Sequence, residues 1–230
     1  MINRRSDGAR TTGPAETKNS RLRLSEPPLS GWLSNPYPLP GRALKRGSAI
    51  LLLLIVGATI VRFWIWRREN RFDDQIRSAA QHYRLPPSLV KAVVWKESRF
   101  DPTVRGRAGE IGLMQVTAVA AQEWADALKL SRYSHEQILD PSTNLHAGSF
   151  YLSKVLQRYS ATDNPVAYAL ADYNAGRRNV LRWMSATNAP EARTNSVQFM
   201  AAMTFPGTRQ YVEQILHRRR RYEAQFGTGR

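Results

Sequence analysis

The sequence predicts an all-α protein, and three observations support that class. Apolar residues recur at spacings of three and four along several segments, which places them on one face of a helix. Pro, Gly and Asn separate those segments where helices usually begin and end. No stretch of useful length alternates apolar and polar residues as a half-buried strand does. We therefore expect one compact helical domain of about 160 residues, enough to bury a single core.

The first 47 residues differ in composition from the rest of the chain. They are polar, rich in Ser, Gly, Arg and Pro, and show no apolar periodicity. Such a composition cannot bury enough apolar surface to offset the entropy of ordering, so residues 1–47 are predicted to be a disordered tail. Its proline-rich part could dock into an aromatic groove, but a plain linker is the simpler interpretation.

Residues 48–66 form an apolar run that suits a membrane. As a helix the run would be about 28 Å long, close to the thickness of the hydrocarbon core. Trp64 and Trp66 are typical of a membrane interface, and Arg62 could extend to the headgroups. A buried soluble helix and a cleaved signal peptide are the alternatives. We predict a single retained transmembrane anchor, because the leader is long and no small-x-small cleavage site follows closely.

The predicted domain, residues 72–226, contains a series of helices with recognisable ends. Asp73 or Asp74 is expected to cap the first of them, which extends to about Tyr83. The later helices are expected at Pro86 to Glu97, Thr117 to Leu130, from Asp140-Pro141-Ser142 onward, Pro165 to Tyr173, Arg178 to Met184, and Thr208 to Phe226.

The composition limits the possible functions. The formal net charge of +16 favours polyanions such as nucleic acid, anionic lipid or an acidic polymer. Without cysteine, neither a disulfide nor a thiolate metal site is possible. His82, His135, His146 and His217 lack metal-ligand spacing, so we predict no metal and no cofactor. No nucleic-acid reader motif is present, and we expect no nucleic-acid partner.

One carboxylate, Glu97, falls in the last turn of its predicted helix. It shares a helix face with Val93 and Val94. The negative end of the helix dipole and partial desolvation would both raise its pKa, so the group could donate a proton near neutral pH as a general acid. The alternative is a solvent-exposed Glu97 at a frayed helix end, paired with Lys96 or Arg99.

Four short segments follow one another in order along the predicted domain. They are Glu97-Ser98-Arg99-Phe100-Asp101, Gly112-Leu113-Met114-Gln115-Val116, Asn144-x-x-x-Gly148-x-x-Tyr151-Leu152, and Ala171-Asp172-Tyr173-Asn174-Ala175-Gly176. A weaker fifth is Phe205-Pro206-x-Thr208-Arg209-x-Tyr211-Val212. Their order and spacing over residues 72–216 resemble the lytic transglycosylases of the soluble Slt type, within the lysozyme-like superfamily. The resemblance does not cover residues 1–71.

This resemblance implies a lysozyme-like helical fold that acts on peptidoglycan glycan strands. Such enzymes cleave the β-1,4 bond between N-acetylmuramic acid and N-acetylglucosamine without water and form a 1,6-anhydromuramyl product. Glu97 matches the family's only catalytic carboxylate. A hydrolytic muramidase with the same acid and a non-catalytic wall-binding protein are the alternatives.

The apolar run 48–66 and the resemblance together predict a location at the inner membrane: the run would be a single-pass anchor, and the resemblance implies a catalytic domain in the periplasm. The flanking charges do not support that orientation, because basic residues lie on both sides of the anchor and slightly favour a cytoplasmic C-terminal side. These residues are Arg42, Lys45 and Arg46 before it and Arg67, Arg68, Arg71 and Arg77 after it. Two further basic runs, 177–178 and 218–221, are expected to be solvated helix faces, with attraction of anionic lipid or wall polymers as the alternative. Protein partners are not indicated.

The matched motifs imply a set of residues that would bind the glycan strand. These are Ser98, Gly112, Met114, Gln115, Tyr173, Asn174 and Tyr211. Met114 is expected to line the groove by apolar contact, and Gln115 by amide hydrogen bonds to acetamido groups. Ser98 is expected to bond Glu97 or the substrate. Asn174 could instead be a plain helix terminator, and Tyr211 a packing residue.

Five other motif and loop residues have simpler interpretations. Asp101 is expected to be a turn residue beside its proline. Asn144 and Gly148 are expected to be structural, through capping and close helix packing. Asp172 is expected to be exposed. Glu110 lies in the glycine-containing loop and could approach the site, so a second role for it stays open.

Overall fold

Helices make up most of the computed structural model, which describes residues 41–227. Nine α-helices follow one another there: α1 Gly41–Asn70, α2 Asp73–His82, α3 Pro87–Ser98, α4 Ala118–Ala127, α5 Pro141–Arg158, α6 Pro165–Ala175, α7 Arg177–Met184, α8 Ser196–Ala202 and α9 Pro206–Phe226. A 3-10 helix, His135–Leu139, precedes α5. Within residues 41–227, β structure is limited to two isolated bridges, Arg105 with Ile111 and Ile111 with Val116. The prediction of an all-α protein is confirmed.

Most helix ends lie where prolines and capping residues place them. Proline occupies the first turn of α3, α5, α6 and α9, where its missing N–H costs no hydrogen bond. Thr117 caps α4 and Asp140 caps α5 through their side-chain oxygens. The expected cap of α2 is wrong. Phe72 occupies that position without a side-chain bond, and Asp73 pairs instead with Lys91.

The apolar run lies within α1, where every residue from 46 to 68 is exposed. An 18-residue window in this region has a mean hydropathy of 2.3 and no buried residue, so by length and composition it could cross a membrane. α1 begins at Gly41, so residues 41–47 are helical rather than disordered. Extending a formed helix costs little, and the proline at position 40 is the last before the run. Residues 1–40 of the predicted tail lie outside the described residues.

α3 is largely buried and carries the candidate acid. Every residue from Ser88 to Val94 is buried. α3 packs against α2 and α9, and α6 packs against α5 and α9. α3 therefore packs against both the helix that precedes it and the last helix of the domain.

A charged residue, Lys91, is fully buried in the middle of α3. Its Nζ lies 2.6 Å from Asp73 Oδ1 and donates to Asn70 Oδ1 at 2.8 Å and to Gln225 Oε1 at 3.0 Å. Desolvation lowers the pKa of Lys91 and raises that of Asp73, but the ion pair and the amide oxygens compensate the buried charge. This network joins the end of α1 to α2, α3 and α9.

Asp172 is buried, so the expectation that it is exposed is wrong. Its Oδ2 accepts hydrogen bonds from Arg158 Nη1 at 2.6 Å and from Tyr159 Oη at 2.7 Å. Both donors lie at the carboxyl-terminal end of α5, so the ion pair fixes α6 against that end. A buried partner distant in sequence leaves no local sequence signal, whereas acidic residues are usually exposed.

Candidate active site

Two residues in the left-handed region end α3 directly after Glu97 and Ser98. Arg99 has φ 53° and Phe100 has φ 63°, a conformation that costs an L-residue about 1–2 kcal/mol. The Arg99 guanidinium stacks 3.7 Å from the centre of the Trp95 ring, and the Phe100 side chain is buried. These contacts offset the backbone strain and keep Glu97 in the last helical turn.

The carboxyl of Glu97 contacts α9. Tyr211 Oη donates a hydrogen bond of 2.5 Å to Glu97 Oε1. Tyr211 belongs to the buried face of α9 with Thr208, Val212 and Ile215, a spacing of three and four residues that turns it toward α3. Glu97 as a residue is half-buried, and the hydrogen bond from Tyr211 fixes its carboxyl against α9.

Burial raises the pKa of Glu97 to about 7. The Tyr211 hydrogen bond and the positive charge of Lys96 lower this pKa, and the charge of Glu110 raises it. Desolvation outweighs the two stabilising contacts. The carboxyl therefore holds its proton over the acidic range and exchanges it near neutral pH.

The solvent-exposed alternative for Glu97 does not match this geometry. Lys96 Nζ donates to Gln214 Oε1 at 2.9 Å, and the Arg99 guanidinium lies over Trp95. Within residues 41–227, no Lys or Arg forms an ion pair with Glu97.

Asn144, on α5, organises the loop that follows α3. Its Oδ1 accepts from Met114 N at 2.8 Å, and its Nδ2 donates to Ile111 O at 2.8 Å and to Ile138 O at 3.0 Å. Gly112 has φ +78°, and a Cβ there would lie 2.3 Å from Asn144 Nδ2. Asn144 is structural as expected, but it holds the loop instead of capping α5, whose cap is Asp140. The loop requires glycine at position 112.

Three residues expected to bind the glycan strand are buried: Gly112 and Met114 in this loop, and Ser98 at the end of α3. Ser98 Oγ donates to Leu113 O at 2.9 Å and to Val94 O at 3.2 Å. Gly112 is buried against Asn144, and the fully buried Met114 packs on Gly148, where a Cβ would lie 2.5 Å from Met114 Sδ. Since Ser98, Gly112 and Met114 are all buried, their direct contact with the glycan strand stays a prediction. In the sequence, small and apolar residues are as typical of a tightly packed loop as of a surface that contacts a ligand.

Gln115 is half-buried and has φ 49°. Its Nε2 donates to Val104 O at 3.0 Å and to Gly112 O at 2.9 Å. Both amide hydrogens are therefore used inside the loop. In this arrangement only Oε1 is left, as an acceptor, and the expected donation to an acetamido group stays a prediction.

Two residues of α6 lie near the same site. Tyr173 Oη donates to Met114 O at 2.8 Å, and burial together with the charge of Glu97 holds the pKa of Tyr173 well above its usual value. Asn174 is exposed, and its Oδ1 accepts from Thr208 Oγ1 at 2.8 Å. Its Nδ2 has no partner in the described part of the chain, so it can donate to a ligand.

Glu110 and Asp101, the other two acids interpreted from the sequence near the site, each accept local hydrogen bonds. Glu110 Oε2 accepts a hydrogen bond from Ala108 N at 3.1 Å inside the loop. The negative charge of Glu110 raises the pKa of Glu97. Asp101 Oδ1 accepts from Thr103 N at 3.0 Å and from Thr103 Oγ1 at 2.7 Å, as expected of a turn residue.

The family described as "Transglycosylase SLT domain" matches residues 74–196, more than half of the chain. The soluble lytic murein transglycosylase of Escherichia coli is 30% identical over 168 residues, which cover 71% of this chain and 25% of that protein. The membrane-bound lytic murein transglycosylase C of Pectobacterium atrosepticum is 32% identical over 157 residues, 65% of this chain and 43% of that protein.

A solved structure shares the fold. It is the X-ray structure of an inactive glutamate-to-glutamine mutant of the lytic transglycosylase Slt from Pseudomonas aeruginosa. The TM-score is 0.58 and the identity 26%, over 66% of this chain and 24% of that one. The chain thus spans about a quarter of the length of these soluble-type relatives, and the likeness is to the segment that contains the candidate site.

Proposed function

Because this chain belongs to the transglycosylase SLT domain family, we propose that it is a peptidoglycan lytic transglycosylase. The substrate bond is the β-1,4 linkage between N-acetylmuramic acid and N-acetylglucosamine. The observation that carries the proposal is the Glu97 carboxyl, half-buried, hydrogen-bonded by Tyr211 and poised at a pKa of about 7. A general acid and base works best when its pKa lies near the working pH.

Glu97 supplies both proton transfers in the proposed reaction. The protonated carboxyl first donates to the glycosidic oxygen, and the bond from that oxygen to the anomeric carbon breaks with N-acetylglucosamine as the leaving group. The resulting Glu97 carboxylate then takes the proton of the C6 hydroxyl of the same muramyl residue. The C6 oxygen closes onto the anomeric carbon, so the product is a 1,6-anhydro sugar, no water is consumed and Glu97 regains its proton.

Tyr211 is the positioning residue of this scheme. Its hydroxyl donates to Oε1 of Glu97 and stabilises the carboxylate that exists between the two proton transfers. Tyr173 and Asn174 complete the proposed site. Tyr173 fixes the loop through Met114 O, and Asn174 offers its free amide to an N-acetyl group.

The released products test this reaction. Purified sacculi are digested with the full-length protein, and the soluble fragments are analysed by mass spectrometry. Anhydro ends lack one water relative to reducing ends, so the proposal predicts fragments with anhydromuramyl ends. Fragments with reducing ends would identify a hydrolytic muramidase with the same acid. If no fragments are released, the protein is a non-catalytic wall-binding protein.

Replacing Tyr211 by phenylalanine is expected to lower kcat/KM by about tenfold, since one hydrogen bond to a charged group is lost. The wild-type rate should fall above pH 7 as Glu97 loses its proton. Without Tyr211, which favours the charged form, the pKa of Glu97 rises further, and the alkaline limb of the pH profile moves to higher pH. A pH–rate profile of both proteins measures this shift. If the alkaline limb has the same midpoint in both proteins, Tyr211 does not stabilise the Glu97 carboxylate.

We also propose that α1 anchors the enzyme in the inner membrane, with residues 48–66 in the bilayer and the catalytic domain in the periplasm. The exposed apolar surface of α1 and the membrane-bound relative support anchoring. The substrate lies outside the cytoplasm, which supports the orientation against the balanced flanking charge. A reporter active only in the periplasm, fused after Arg230, should be active. A silent reporter would reverse the orientation.

A further inference from the structure

A cavity lies beside the end of α1 rather than at Glu97. Its volume is about 810 Å³, and it opens to solvent. One wall is formed by α1 and the residue that follows it, and the other by the segment that directly follows α3. The lining residues are Trp64, Arg67, Arg68 and Arg71 on the first wall and Phe100, Asp101 and Pro102 on the second.

The cavity carries an excess of positive charge. Arg68 lies 3.7 Å from Asp101, the one acid in the lining. Arg67 and Arg71 are exposed and form no ion pair within residues 41–227. Arg71 instead lies 5.0 Å over the ring of Phe72. Three guanidinium groups around one carboxylate suit an anion, and guanidinium geometry matches phosphate oxygens.

The position of the cavity indicates where that anion comes from. Arg67 is the first residue after the predicted membrane span, and Arg71 lies about one helical turn further along. Trp64 and Trp66, both exposed, mark the interfacial level of the helix. If α1 spans the bilayer, these guanidinium groups lie at the depth of the lipid phosphates, within reach of the leaflet on that side.

We propose that this cavity binds the phosphate of an anionic phospholipid of the phosphatidylglycerol class. Arg67 and Arg71 bind the phosphate oxygens, Arg68 remains paired with Asp101, and Trp64 packs against the glycerol region. The site rests on the proposed membrane anchoring and not on the proposed catalysis. It also removes the conflict with the charges that flank the anchor. Arg67 and Arg71 would be neutralised by lipid phosphates, so they would not oppose a periplasmic position of the catalytic domain.

A bound headgroup would affect the candidate active site through α3. Phe100, Asp101 and Pro102 follow directly after the turn that carries Glu97. A lipid fixed between these residues and α1 therefore holds the end of the catalytic helix close to the membrane surface, and the enzyme would act on glycan strands near the membrane.

Native mass spectrometry tests the site on the full-length protein in a neutral detergent. Phosphatidylglycerol, phosphatidylcholine and inorganic phosphate are titrated separately. We expect one phosphatidylglycerol to be retained per protein, with much weaker retention of phosphatidylcholine. The double variant R67Q/R71Q should bind phosphatidylglycerol at least about tenfold more weakly. The matched control R178Q/R182Q removes two exposed arginines of α7 and should bind as the wild type does.

Each other outcome overturns the proposal in a distinct way. Equal weakening in both double variants would mean that net charge alone attracts the lipid. Equal binding of phosphatidylcholine would exclude a site for anionic headgroups. Inorganic phosphate that displaces the lipid at equal concentration would assign the cavity to a free anion. A separate flotation of the protein with phosphatidylcholine vesicles in high salt tests the anchor. Failure to float would refute the anchor, independently of the lipid preference and of any activity on sacculi.

Discussion

Replacing Glu97 by glutamine is expected to reduce the release of fragments from purified sacculi by about three orders of magnitude. Glutamine keeps the size of the side chain and can still accept the hydrogen bond from Tyr211. It cannot donate a proton to the glycosidic oxygen or remove one from the C6 hydroxyl. General acid–base catalysis typically contributes about 10²–10⁴ to a rate, and here one group performs both transfers.

The matched control for this variant is Glu213→Gln on α9. Glu213 is exposed and carries the same charge two residues from Tyr211, so its replacement changes net charge without touching the site. We expect the control to release fragments at the wild-type rate. Both variants should keep the wild-type circular dichroism spectrum, which separates lost chemistry from lost folding. Equal activity of Glu97→Gln and wild type would remove Glu97 from the mechanism.

Replacing Asn144 by alanine is expected to destabilise the domain by about 3 kcal/mol. The side chain is buried and makes three hydrogen bonds to backbone groups of Met114, Ile111 and Ile138. A buried group left without its partner costs about 1–3 kcal/mol, and at least Met114 N loses its acceptor. Denaturant unfolding measures the change, and activity should fall with it because the loop beside Glu97 loses its support.

Asn179→Ala provides the control for Asn144→Ala. Asn179 is half-buried, and its Nδ2 donates only to Ala175 O within the adjoining turn. We expect a loss below about 1 kcal/mol for this local bond. If the two variants are destabilised equally, Asn144 does not organise the loop.

The helix positions were largely predictable because their signals are local. Pro141, Pro165 and Pro206 occupy first turns, and Thr117 and Asp140 cap helices through their own side chains. α8 and the 3-10 helix were not predicted, since seven and five residues are too few to show a period. The first residues of α1 were predicted as tail because their composition is polar.

The buried charges could not be predicted from spacing. Lys91 interrupts an otherwise apolar stretch of α3, and its partners come from α1, α2 and α9. Arg218 was expected on a solvated face, but its guanidinium lies 4.4 Å over the Trp95 ring and 3.5 Å from Glu69. A lysine inside an apolar helix is a usable signal of a buried ion pair, but the sequence does not identify the partner.

The position of Glu97 in the site was predictable, whereas its surroundings were not. The last-turn position follows from the prolines before α3. The motif that contains Met114 and Gln115 was interpreted as a contact surface, but the structure uses both residues to close the loop. Tyr211 was expected as a wall or packing residue. Its bond to Glu97 depends on the packing of α9 on α3, which no local pattern encodes.

The protonation of Glu97 itself can be measured by infrared difference spectroscopy. The carbonyl stretch of a protonated carboxyl is followed as a function of pH in the wild type, with Glu97→Gln subtracted to isolate this one group. We expect the band to persist at pH 6 and to disappear with a midpoint near pH 7. A midpoint near 4.5, the ordinary value for glutamate, would show a solvated carboxylate and contradict the proposed general acid.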